Sequence, residues 1–172
     1  MTRRQWMNLL SALGFGGAAN AANVANAAPA AGAKDPAPAA RPDRLVLDDA
    51  EWKRRLPAAS YAVLRREDTE RPYSSPLNAE KRAGTYQCAG CQLALFTSAM
   101  KFDSGTGWPS FFDALPGALD TRTDYKMILP RTEYHCARCG GHQGHLFNDG
   151  PRPSGQRYCN NGVALRFVAT AP

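Results

Sequence analysis

Five cysteines carry most of the chemistry available to this 172-residue chain. Cys88-Ala89-Gly90-Cys91 and Cys136-Ala137-Arg138-Cys139-Gly140 are two C-x-x-C pairs separated by 44 residues. A tight turn with two thiolates supplies half of a tetrahedral shell, and two such turns close it. Four thiolates leave no open coordination position, so the pattern fits a structural zinc. The same pairs could instead form two disulfides, or one could act as a redox C-x-x-C. Cys159 stands apart, in Arg157-Tyr158-Cys159-Asn160-Asn161-Gly162. On a strand, Arg157, Cys159 and Asn161 share one face. Arg157 would lower the thiol pKa by its positive potential, and Asn161 could hydrogen-bond a substrate. A lone Cys is otherwise a small apolar core residue, but these polar neighbours make a poor core strand.

Two further segments could serve such a thiol. His142-Gln143-Gly144-His145 places two imidazoles one turn apart, followed by Phe147 and Asp149-Gly150-Pro151. Imidazoles beside a thiolate stabilise it and move protons near pH 7; the bland alternatives are a zinc-ligand pair or surface histidines. His135, beside Cys136, reads as a solvated strand residue. Phe102-Asp103-Ser104-Gly105-Thr106-Gly107-Trp108-Pro109-Ser110-Phe111-Phe112 is a rigid aromatic loop. Trp108 is either a core residue after a turn or a wall for a small apolar group, such as a methyl on sulfur.

The elements that must position these residues lie downstream of an uncharged leader. Arg3-Arg4 precedes a weakly apolar run, no charge occurs from Gln5 to Ala33, and Ala25-Asn26-Ala27 fits a small-x-small cleavage site. Residues 1–27 therefore read as a twin-arginine-like export signal, with no membrane anchor left after cleavage and a periplasmic destination. Residues 28–43, rich in Ala and Pro, read as a linker. Residues 44–172 read as one domain. Asp48 or Asp49 can cap a helix through Leu56, and Pro57 can open a second one carrying Tyr61, Val63 and Leu64, closed by Thr69-Glu70-Arg71-Pro72. Short alternating runs (Thr85–Gln87, Leu93–Phe96, Lys126–Leu129, Thr132–His135, Gln156–Asn161, Ala164–Val168) predict antiparallel strands. The expected fold is mainly β, with two small antiparallel sheets or an open barrel, short N-terminal helices and a zinc clamp. The formal charge of +6 comes with no basic and aromatic cluster of the kind nucleic-acid binding needs, and a monomer is expected.

Taken together, Gly105-Thr106-Gly107-Trp108-Pro109-Ser110-Phe111, the two C-x-x-C pairs, His142-x-x-His145-x-Phe147-x-Asp149-Gly150-Pro151 and Arg157-Tyr158-Cys159-x-Asn161 resemble the B-type methionine sulfoxide reductases, over about Leu45 to Phe167. The resemblance implies reduction of the R epimer of methionine sulfoxide in proteins, hence repair of oxidised proteins under oxidative stress. It implies Cys159 as nucleophile, and His142, His145 and Asn161 as groups that bind and polarise the sulfoxide. Trp108, Phe147 and Arg157 are the expected substrate-binding residues, and Cys88, Cys91, Cys136 and Cys139 the zinc ligands. Thr106 stands where many members carry a resolving Cys, so an external reductant, thioredoxin-like or a small thiol, is expected to act on oxidised Cys159 directly. Gln143 and Leu146 replace other apolar residues, and Gly162 a common Ser.

Overall fold

Asp48 opens the first helix: its carboxylate accepts the Glu51 backbone N–H at 2.7 Å and so caps α1 (Asp49–Arg55). Acids sit in the first turn and Lys53, Arg54 and Arg55 in the last, matching the helix dipole. Pro57 separates α1 from α2 (Ala58–Arg66), which ends with Glu67 in the left-handed conformation. Trp52, Val63 and Leu64 are the buried apolar residues of this pair. The computed structural model describes residues 43–171. The expected export signal and nearly all of the expected linker lie outside the described residues. Among the described residues, no helix is long and apolar enough to cross a membrane.

Among the described residues nine strands follow: β1 (Gly84–Cys88), β2 (Ala94–Thr97), β3 (Lys101–Phe102), β4 (Ser110–Phe111), β5 (Leu119–Asp124), β6 (Arg131–Cys136), β7 (His142–Phe147), β8 (Arg157–Asn160) and β9 (Leu165–Ala169). They form two antiparallel sheets, β2-β1-β9 and β3-β4-β8-β7-β6-β5. The mainly β fold with two sheets and two N-terminal helices is the architecture expected from the sequence.

Two expectations about strands need correction. Lys126–Leu129 is not a strand but an exposed turn between β5 and β6; its apolar run is not matched by any buried face. The pairing strand lies just before it, where Leu119–Asp124 runs against all of β6. The segment holding His142 and His145 is strand β7 rather than a helical turn.

Aromatic rings fill the core. Phe96 and Phe111 stack at 4.0 Å, Tyr86 meets Phe111 at 4.9 Å, and Tyr134 meets Tyr158 edge-on at 5.3 Å. Tyr134, Gly144 and Asn160 are cross-strand neighbours, and the Tyr134 hydroxyl donates to Asn160 Oδ1 at 2.9 Å. A Cβ at Gly144 would lie 1.9 Å from the Cys159 carbonyl oxygen, so only glycine lets β7 and β8 approach this closely. Residues alternate between faces along a strand, so placing Tyr158 and Asn160 against the core turns Arg157 and Cys159 to the opposite face.

Candidate active site

That opposite face carries a continuous row. Reading the register across the larger sheet, Arg122 pairs with Glu133, Glu133 with His145, His145 with Cys159, and Cys159 with Ser110. Directly opposed residues have Cβ atoms about 4.5–5.5 Å apart, so pairing places an imidazole on one side of the thiol and a hydroxyl on the other. A bulge in β7 completes the group. The register slips by one residue at Gln143, setting His142 opposite His135. Three residues apart on a regular strand, His142 and His145 would face opposite ways; with the slip their rings stand 5.4 Å apart. Gln143 turns inward instead, where its Nε2 donates to Cys88 Sγ at 3.3 Å and its Oε1 accepts from Asn160 Nδ2 at 3.3 Å.

Cys159 is half-buried on the wall of a cavity of about 130 Å³ that also touches Thr69, Trp108, Arg131, His145, Phe147 and Asn161. Burial pushes its thiol above the ordinary range, while the Arg157 charge and hydrogen bonds from Thr106 and Arg157 pull it down by less. Arg157 thus acts in the expected direction without prevailing, and the thiol keeps its proton near neutral pH. Arg157 is fixed by a bidentate pair with Asp149 (2.8 and 2.9 Å) and lies 4.4 Å above the Phe147 ring. Thr106, Ser104 and Ser110 form a hydroxyl chain with two 2.8 Å links.

The imidazoles differ. His145 Nε2 donates to Asp124 Oδ2 at 2.8 Å. Hydrogen bonds from the Lys126 backbone N–H and from His145 hold the Asp124 carboxyl far below the usual range, so it is ionised and fixes the Nε2–H tautomer. Burial lowers the His145 pKa more than Asp124 raises it, so this ring is neutral near pH 7 and its Nδ1 is an acceptor. His142 lies deeper, 3% exposed, with Nδ1 2.6 Å from Glu133 Oε1 and Nε2 without a partner. It is not on the cavity wall. His135, expected to be solvated, is half-buried, and its Nδ1 is buried without a partner.

Glu70 ties the remaining pieces together. Its backbone carbonyl accepts Trp108 Nε1–H at 3.1 Å and its backbone N–H donates to Asn161 Oδ1 at 3.0 Å. Its carboxylate accepts the backbone N–H groups of Gly162 (2.6 Å) and Val163 (3.0 Å). Asn161 Nδ2 is also committed, donating to the Gln143 carbonyl at 3.0 Å. Asn161 therefore lies on the cavity wall with both amide atoms engaged in bracing it. A side chain at Gly162 would strike Ser75, whose Oγ lies 2.0 Å from the Cβ position.

The four remaining thiols converge where β1 and β6 end, at Cys88 and Cys136. The sulfurs of Cys88, Cys91, Cys136 and Cys139 lie within 4.8 Å of one another, with Cys88–Cys139 at 3.7 Å and Cys91–Cys136 at 3.5 Å. A tetrahedron with metal–sulfur bonds of about 2.3 Å has edges of about 3.8 Å, so this donor set fits zinc. The spacing is far longer than the roughly 2 Å of a disulfide.

A larger concavity of about 580 Å³ adjoins Trp108, lined by Tyr73, Glu80, Lys101 and Asp103 among others, but Cys159 is not on its wall.

Residues 56–169 match the SelR domain. Curated relatives named peptide methionine sulfoxide reductase MsrB include one from Bradyrhizobium diazoefficiens, 49% identical over 73% of this chain and 91% of the relative. Another, from Pseudomonas putida, is 51% identical over 68% of this chain and 89% of the relative. The chain is a member of the MsrB family. MsrB enzymes are oxidoreductases, and this chain is one of them. A chloroplast relative from Arabidopsis thaliana, peptide methionine sulfoxide reductase B1, is 44% identical over 72% of this chain and 61% of the relative. Among solved structures, a Mis18 Yippee-like domain is 16% identical with a TM-score of 0.41.

Within this MsrB chain, the fold brings Cys159, His145, Trp108, Phe147 and Asn161 onto the wall of one cavity, stacks Arg157 on Phe147 beside it and keeps His142 off that wall. Sequence reading passed over Asp124, Glu70 and Glu133. Asp124 and Glu133 are buried acids, a signal that appears only when the strand register is known. The pair Glu70-Arg71 before Pro72 looked like an ordinary helix exit.

Proposed function

We propose that this protein reduces the R epimer of methionine sulfoxide in polypeptides, with Cys159 as the nucleophile. The observation that carries this is the cross-strand Cys159–His145 pair beside Trp108 and Phe147 in one small cavity, with Asp124 fixing the imidazole. In the free protein the thiol is protonated and the imidazole is not. As substrate enters, the thiol proton passes to His145 Nδ1 and on to the sulfoxide oxygen, making the sulfoxide sulfur electrophilic. The Cys159 sulfur attacks that atom, forming a bond to the substrate sulfur as the S–O bond breaks and hydroxide leaves. The hydroxide then attacks the Cys159 sulfur, the electron pair of the sulfur–sulfur bond goes to the departing methionine, now reduced by two electrons, and Cys159 is left as sulfenic acid. Two thiols of an external reductant, thioredoxin-like or small, then become a disulfide while the oxygen departs as water and Cys159 returns to thiol.

Trp108, Phe147 and Arg157 shape the substrate side. The two rings can enclose the sulfur-bound methyl group, and Arg157 keeps positive potential near the sulfur and the departing oxygen. A fixed methyl pocket and a fixed proton donor accept one configuration at sulfur. His142, held by Glu133, backs His145, and Asn161 positions the β8 end of the cavity. One zinc on Cys88, Cys91, Cys136 and Cys139 would cross-link the two C-x-x-C turns and take no part in the redox steps. We also propose export by the Arg3-Arg4 leader, which would place repair in the periplasm.

Steady-state turnover of each sulfoxide epimer tests the function, with dithiothreitol and then a thioredoxin as donor. The R epimer should be consumed with either donor; consumption of the S epimer instead would overturn the assignment.

A further inference from the structure

The turn that interrupts β5 and β6 is unlike the rest of the surface. Tyr125 is 76% exposed, Met127 59%, Ile128 100% and Leu129 76%. Among the described residues, these are four of the seven large apolar side chains that face solvent, so exposed apolar area is concentrated in one short segment. Such concentration marks an interaction site rather than background.

The patch also has a place. Beside the turn lies a groove of about 580 Å³, walled by Met127, Ile128 and Leu129 on one side and by Leu146 and Phe147 on the other. Its wall includes Arg131 and Phe147, which are also on the wall of the cavity holding Cys159. Groove and catalytic cavity thus adjoin each other at these two side chains. An extended chain advances about 3.3 Å per residue, so a peptide whose oxidised methionine enters the cavity carries a neighbouring residue toward the adjoining groove.

We propose that the Tyr125–Pro130 turn and its groove dock an apolar side chain flanking the oxidised methionine in an unfolded or extended polypeptide. This rests on the proposed sulfoxide reduction at Cys159 and adds a substrate class to it: oxidised methionines set among apolar residues, the kind exposed when a protein core is damaged. A free amino acid has no flanking side chain to place in the groove.

The test uses the full chain and the double variant Ile128→Ser/Leu129→Ser, whose altered side chains are exposed and lie outside the strand pairing. Substrates are free methionine-R-sulfoxide and two peptides bearing it, one flanked by Leu and Phe, the other by Ser and Gly, with dithiothreitol as donor. The unaltered protein should prefer the apolar peptide by about tenfold in kcat/KM, expressed in KM. The variant should lose that preference while keeping its kcat and its activity on the free amino acid. Equal use of both peptides by the unaltered protein, or an undiminished preference in the variant, would overturn the proposal. So would a defect seen only with thioredoxin as donor, or a shift from dimer to monomer with the preference intact; those results assign the patch to the reductant or to a second copy. Failure to reduce any of the three substrates would instead strike at the assignment of the activity itself.

Discussion

Replacing Asp124 by Asn isolates the role given to its carboxylate. Asp124 accepts from His145 Nε2 (2.8 Å), Arg131 Nη2 (2.7 Å) and the Lys126 backbone N–H (2.9 Å). Asn can still accept from Lys126, but its amide N–H₂ then faces His145 Nε2–H and Arg131, donor against donor. The imidazole relieves this by moving its proton to Nδ1, which removes the acceptor needed for the Cys159 proton. The wrong tautomer costs about 10²–10⁴ in kcat, and the mismatched buried donors cost about 1–3 kcal/mol of stability. The assay is kcat and kcat/KM on an R-sulfoxide peptide from pH 5 to 10, on protein shown by circular dichroism to be folded.

In the unaltered protein kcat/KM should rise as His145 deprotonates, below its ordinary 6.5 because burial lowers it. It should fall as the Cys159 thiol ionises, above its ordinary 9.0 because burial raises it. Asp124 is the partner that raises the His145 pKa, so Asp124→Asn should move the acidic limb to still lower pH while depressing the plateau. In a His145→Gln background the same change should add little. A folded Asp124→Asn protein within threefold of the unaltered kcat, or losses that multiply fully in the double variant, would refute the coupling.

Other outcomes follow from the same contacts. Glu70→Gln places an amide donor where one of the Gly162 and Val163 N–H groups was accepted; urea unfolding should show a loss of about 1.5–3 kcal/mol, whereas an unchanged midpoint would remove Glu70 from its bracing role. Gly144→Ala forces a methyl group into the Cys159 carbonyl, so stability should fall by about 3 kcal/mol and activity with it; a change within 0.5 kcal/mol would show that β7 and β8 part easily. Cys136→Ser should abolish tight zinc binding and the cooperative melt together, because metal affinity in a four-thiolate site contributes about 10 kcal/mol or more to folding; a cooperative, zinc-free variant would contradict the clamp.

Much of this arrangement was legible in the residues, for physical reasons. The Asp48 cap and Pro57 break mark α1 and α2 because capping and proline chemistry act locally. The four-cysteine cluster was legible because C-x-x-C spacing fixes geometry within each turn. Strand β8 was legible as an alternating run, and with it the shared face of Arg157 and Cys159; Asn161, expected on that face, lies past the end of the strand. Lys126–Leu129 misled because its apolar residues imitate a buried strand while serving a surface. β7 was hidden because Gln143 and Gly144 break alternation, and the bulge that aligns the two histidines exists only in the pairing with β6. Gln143 looked like a departure, yet it links the thiol clamp to β8 through Cys88 and Asn160. The net direction of the Cys159 shift was out of reach, since it depends on burial outweighing Arg157.

The most direct measurement is a single turnover without reductant. The zinc-loaded protein is mixed with one equivalent of R-sulfoxide peptide and a sulfenic-acid trap, then digested and mapped by mass spectrometry. One methionine should form per chain, with one trapped sulfenic acid on Cys159 and none on Cys88, Cys91, Cys136 or Cys139. Methionine formed with Cys159 still reduced, or formed equally well by a folded Cys159→Ser protein, would contradict it.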